Sequence, residues 1–240
     1  MSNPVLNESA IFKRADKTAD DATMTISGTM NAIAVLFGLS GIAAVLSWNA
    51  TSVESFPAWL PLAGIGGMVI AIVLAFRMRW AMYLGPVYAL VQGAFVGAIS
   101  KVYDAAYDGI VLQAALGTAT VFVVMWALWS SRIIKVTARF RMIVVAATLS
   151  IFVLYLGAFI VNFFTPVSFL SSASGLSIGI SVLVIGVAAL NLALDFDLIE
   201  RGIAGKGPKY LEWYAAFGLL VTVIWLYLEI LRLLSKLQRR

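Results

Sequence analysis

Seven stretches of about twenty residues, nearly empty of charge, constrain this chain more than any other feature of it. A bilayer core of ~30 Å takes a helix of about 20 apolar residues, and within lipid only helices and closed barrels satisfy their own backbone groups. The stretches fall at 24–48, 57–77, 80–101, 108–130, 141–164, 174–200 and 210–235. They predict an all-α polytopic membrane protein with seven transmembrane helices. Charged residues make up 12% of the chain and hydrophobic ones 62%, against about 25% and 45–50% in soluble domains.

Residues 1–23 are polar and mix both signs, from Glu8 through Lys13, Arg14, Asp16 and Lys17 to Asp20 and Asp21. No apolar core follows a short basic start, so they read as a cytoplasmic tail with a short surface helix around Ile11, not as a cleaved signal. Residues 24–240 form the transmembrane domain. Orientation follows from Lys and Arg in the loops. The tail and the loops after spans two, four and six hold twelve of them; the opposite loops hold only Lys101. The N-terminus is therefore expected in the cytoplasm and the C-terminus outside, although Arg232, Lys236, Arg239 and Arg240 then oppose the rule. Trp48, Trp59, Trp80, Trp129 and Trp213 sit at span ends, as an interfacial belt would.

The chain has no cysteine and no histidine. Disulfides, thiol chemistry and the usual imidazole proton shuttle are excluded; any pH response must come from carboxylates. No phosphate loop appears beside a strand, and no basic patch interleaved with aromatics suggests nucleic acid. No catalytic constellation is apparent and no resident cofactor is expected, so the chain reads as a non-enzyme.

The sixth span, with the residues that follow it, is the most informative. On a helix of about 100° per residue, Ser177, Ser181, Val184, Ala188, Asn191 and Asp195 fall within about 40° of one line. Such a stripe should face protein or water, and an ionisable residue on it is a functional candidate. Thr148, Tyr155 and Asn162 share a face of span five; Ala215, Gly218, Thr222 and Glu229 lie close together around span seven. Gly93 and Gly97 in span three suit close helix packing. Asp195 is placed about 8 Å from the cytoplasmic end of span six and Glu229 about 24 Å from the start of span seven, too far apart in depth to pair. Glu229 reads alternatively as an interfacial acid near Arg232 or Arg239. Asp197, Glu200 and Glu212 read as solvated cytoplasmic charges. Arg77 and Arg79 share the side of Asp195. An Asp–Arg contact there would close a pathway while the acid is ionised and release it on protonation.

The run ALNLALDFDLIERG, its short polar loop and EWYAAFGLLVTVIWLYLEILRLL resemble the last two helices of the Bax inhibitor (transmembrane Bax inhibitor motif) family. MTISGTMNAIAVLFGL, GPVYALVQGAFVGAIS and YDGIVLQAALGT resemble spans one, three and four of its bacterial branch. The resemblance covers nearly the whole chain from residue 24. It implies a seven-helix bundle with the last helix central and a pH-sensitive calcium leak in the bacterial inner membrane. It also implies two aspartates, one on each of the last two helices, that share a proton, with a second-helix arginine as latch. The first acid precedes a leucine–isoleucine pair by three positions, which makes it Asp195. The second sits in an A-L-x-L-Y-L-D type run. AFGLLVT puts Thr222 there, whereas aligning YLE with YLD selects Glu229. The latch is Arg77 or Arg79.

The leading expectation is thus a Ca²⁺ or general cation leak. Asp195 is its sensor and transient metal contact, and Asn191, Thr222 and Glu229 contribute to the pathway. The alternatives are a membrane interaction protein that modulates a protease or stress response without transport, and a cation/proton exchanger.

Overall fold

The structure, a computed structural model, describes residues 23–52, 59–164 and 172–239. The tail before Thr23, with the helix expected around Ile11, lies outside the described residues. Among the described residues seven α-helices follow in order: α1 Ile26–Ala50, α2 Leu60–Phe76, α3 Ala81–Ala106, α4 Ile110–Ser130, α5 Ala138–Phe164, α6 Gly175–Ala204 and α7 Tyr210–Gln238. Six, counting the turn before α3 with it, are long and apolar enough to cross a membrane; α2, with 17 residues, is the shorter apolar member. The fold is that of an all-α polytopic membrane protein.

Local chemistry sets the helix ends. Thr25 caps α1, its hydroxyl accepting the Gly28 N–H at 3.0 Å, which satisfies one of the orphan donors of a first turn. Pro61 opens α2, where a missing N–H costs nothing. Arg77 leaves the helical region and a single 3-10 turn, Met78–Trp80, joins α2 to α3 without a loop. Gly109 takes a φ of 71° before α4, a conformation that disfavours a side chain.

The chain divides into two compact units. The first comprises the residues up to Ala98 together with Asp195–Leu220. Within it α1 and α3 approach backbone to backbone. A Cβ on Gly93 or Gly97 would overlap the main chain of Ser40 or Ala44, the close packing that glycines four apart allow. Tyr88 of α3 meets Phe217 of α7 edge to face, with centroids 4.9 Å apart. The start of α1 is tied to the α6–α7 connection by Met24 N–H donating to Gly207 O at 2.7 Å and by a Thr23–Pro208 bridge. Met24, Leu211 and Ala215 form a small core there.

The second unit comprises Ile99–Leu194 and Val221–Arg240. In it Gly117 of α4 faces Ile230 of α7, and Ser100 of α3 shares a 2.6 Å hydrogen bond with Tyr227.

Burial separates the helices by role. The most apolar window of α5 is 11% buried, so most of its surface is left for lipid; that of α7 is 44% buried, the largest share among the long helices. No residue from 210 to 236 is exposed. Such coverage on all faces is expected of the last helix. Four ends run three residues or more beyond expectation. α3 continues to Ala106 and takes in Asp104, α5 begins at Ala138 and takes Arg139 and Arg141 into its first turns, α6 continues to Ala204, and α7 continues to Gln238. In each case charged residues continue the helix beyond the apolar window.

Candidate functional site

The polar stripe of α6 faces protein. Ser177, Ser181, Val184 and Ala188 are buried, while Leu176, Val182 and Leu183 on other faces are exposed. Farther along, the Asn191 amide donates to Thr148 Oγ1 of α5 at 2.8 Å and to Val187 O at 2.9 Å. Thr148 in turn donates to Val144 O at 2.9 Å. The nitrogen end of Asn191 is thus used to join α5 and α6, leaving its carbonyl as the end that can serve an ion.

One turn on, Asp195 is half-buried. Its carboxylate lies against α7: a Cβ on Gly218 would stand 3.4 Å from Oδ1. A methyl there would meet the oxygen in ordinary van der Waals contact, and only a longer side chain would crowd the acid. The charge of Asp195 also acts on the phenol of Tyr214, one turn before Gly218. Thr222, one turn after it, is buried. Because α6 runs nine residues past Asp195, the acid lies ~14 Å from the helix end and not ~8 Å.

Glu229 has other surroundings. It is 1% exposed, with Oε1 accepting from Arg232 Nη1 at 2.9 Å. The Arg232 guanidinium rests over the ring of Tyr155, 5.0 Å from its centroid, which brings the α5 stripe to α7. Arg232 is one of the two expected neighbours. α7 extends nine residues beyond Glu229. Among the described residues no three acidic, histidine or cysteine side chains converge on a metal position.

A family model described as Bax inhibitor 1 like matches residues 3–239. The chain belongs to the Bax inhibitor 1 like family. No curated protein matches it.

In this Bax inhibitor 1 like protein the two candidates for the second acid differ in their setting. The α7 turn that ends at Thr222 begins at Gly218, beside Asp195; Glu229 is engaged by Arg232. The two latch candidates are exposed at the α2–α3 junction. The guanidinium of Arg77 lies over Trp80 at 6.0 Å and that of Arg79 over Tyr210 at 5.8 Å, both in cation–π range.

Two acids read as solvated are buried. Asp197 is 7% exposed and both its oxygens lie 2.9 Å from Arg201 Nε, a pairing that the extension of α6 to Ala204 permits. Glu212 is 3% exposed, and its Oε1 accepts both the N–H and the hydroxyl of Thr25 at 2.9 Å. Glu200 is half-buried. Lys236, assigned from sequence to the tail after span seven, is a further correction. It is 3% exposed, and its ammonium donates to Ser181 Oγ at 2.8 Å and Ser177 O at 3.2 Å. The available signal was spacing: 229, 232 and 236 recur at helical intervals on one face, while Ser177 and Ser181 begin the α6 stripe.

Proposed function

We propose that this Bax inhibitor 1 like protein is a pH-sensitive cation leak of the bacterial inner membrane, with Ca²⁺ its foremost cargo and Asp195 its proton-sensing, ion-contacting acid. The observation that carries the reading is the carboxylate of Asp195 held within a long helix against the α7 surface at Gly218. An ionisable residue within a membrane-spanning helix, facing a neighbouring helix, is a functional candidate by default.

Hard cations take oxygen ligands. Asp195, the Asn191 carbonyl and the Thr222 hydroxyl are the oxygens proposed to meet the ion, with Glu229 contributing from its Arg232-bound position. Such scattered ligands suit passage better than storage. In the closed state Arg77 or Arg79 leaves its aromatic ring for ionised Asp195; protonation releases the arginine. With Thr222 in place of a second acid, the splitting of two coupled titrations is absent. The response is therefore weaker than that of a carboxylate pair, or lies further toward acid.

The test is Ca²⁺ entry into liposomes holding the purified protein, with and without Asp195→Asn. Entry that rises toward acid in the wild type and loses this dependence in the variant supports the reading. No entry at any pH favours an interaction protein acting on a membrane protease or stress response. Entry that requires an opposing proton gradient favours an exchanger.

A further inference from the structure

The second unit contains a buried charged cluster, Glu229, Arg232 and Lys236, of which the proposed pathway uses only Glu229. Glu229 and Arg232 pair at 2.9 Å and cancel. The ammonium of Lys236 remains, and its described acceptors, Ser181 Oγ and Ser177 O, are both neutral. Among the described residues Glu229 Oε2 has no hydrogen-bond partner, and Lys236 is not drawn onto it. Tyr155 and the two serines complete the surroundings as neutral groups. Among the described residues the cluster therefore holds one more positive than negative charge, with the Lys236 ammonium seated on the first turns of α6. Burying an ion without a counter-charge is expensive, and a plain helix contact at this position would be made as well by an apolar residue.

We propose that Lys236 is an electrostatic brake on cations, a fixed positive charge that slows and grades the leak. The inference rests on the cation-leak reading of this protein and names the residue that sets its selectivity. At a given distance Coulomb repulsion of a divalent ion is twice that of a monovalent one, so Ca²⁺ is held back more than K⁺. Glu229 partly offsets the brake through Arg232.

The chain has no native cysteine, so Ser181→Cys places a single thiol beside the ammonium. In proteoliposomes it is treated with an anionic and a cationic methanethiosulfonate reagent of similar size. The anionic reagent is expected to react about tenfold faster, a modest value for electrostatic focusing, and adding Lys236→Met should abolish the preference. Because both reagents attack the same thiolate, the ratio reads local potential and not thiol reactivity. Equal rates, a cationic preference, or no reaction with either reagent would overturn the proposal and leave Lys236 as a helix staple. The second readout is flux: Lys236→Met should raise Ca²⁺ entry more than K⁺ entry, Lys236→Arg should keep the wild-type rate, and Glu229→Gln should lower Ca²⁺ entry. A staple would shift Lys236→Met and Glu229→Gln in the same direction. If wild-type liposomes pass no cation, the leak reading fails, while the thiol ratio still decides the charge assignment.

Discussion

Replacing Gly28 by alanine should destabilise the protein, although the same change elsewhere in α1 should not. A Cβ at residue 28 would overlap the Glu212 carboxylate. That carboxylate is the flexible end of a side chain, so moving it is sterically cheap. The cost lies in what it leaves, the N–H and hydroxyl of Thr25, each held at 2.9 Å. Hydrogen bonds to a charged group contribute about 1.5–3 kcal/mol each. Thr25 is exposed, so water recovers part of the loss and the low end applies, about 3 kcal/mol for the two. Alanine returns about 1 kcal/mol of helix propensity, leaving a net destabilisation of about 2 kcal/mol. Gly38 and Gly41 have nothing within 4 Å of a built Cβ, and alanine there should be neutral or stabilising by up to about 1 kcal/mol. Reversible unfolding in mixed micelles measures all three. The decisive arm is the double variant: with Glu212→Ala already present, Gly28→Ala should cease to destabilise. If it costs the same in both backgrounds, the carboxylate is not what the glycine accommodates.

Other outcomes follow from the same geometry. Gly97→Ala sets its Cβ into the Ala44 carbonyl oxygen, a backbone atom that cannot step aside; it should cost about 1–3 kcal/mol, measured by the same unfolding. Thr148→Val and Asn191→Leu, combined in a double-mutant cycle across their 2.8 Å bond, should show a coupling near the ~0.6 kcal/mol average for interhelical hydrogen bonds in membranes; a coupling of zero would place the amide elsewhere. Gly218→Leu should crowd the Asp195 carboxylate, which a Cβ already approaches to 3.4 Å, and reduce Ca²⁺ entry at every pH, whereas Gly186→Ala, where nothing lies within 4 Å, should leave flux unchanged.

Where the bilayer dictates the answer, the sequence was readable. Lipid thickness sets helix length, so the seven helices stand where charge-free windows predict them. Lipid cannot satisfy a hydroxyl or amide, so the α6 line from Ser177 to Asn191 had to turn inward, and Gly93 and Gly97 had to meet another helix. Family membership was legible in the runs around Asp195 and Glu229. The misses arose where charge continued an apolar helix or where partners are remote. Arg201 neutralises Asp197 one turn away and lets α6 run on. Lys236 hides its stem along α7 and its ammonium among oxygens of α6, beyond the point where hydropathy ends the span. Glu212 finds Thr25 at a separation of 187 residues, and no local pattern encodes such a contact. Charge on a helix end thus reads as solvent only until its partner is known.

The central claim concerns one carboxylate, and the ratio of Ca²⁺ entry at acidic pH to that at neutral pH tests it most directly. Measured in liposomes of one composition, that ratio should exceed one for the wild type and fall to one for Asp195→Asn. An unchanged ratio in the variant would mean that the acid beside Gly218 does not govern the leak.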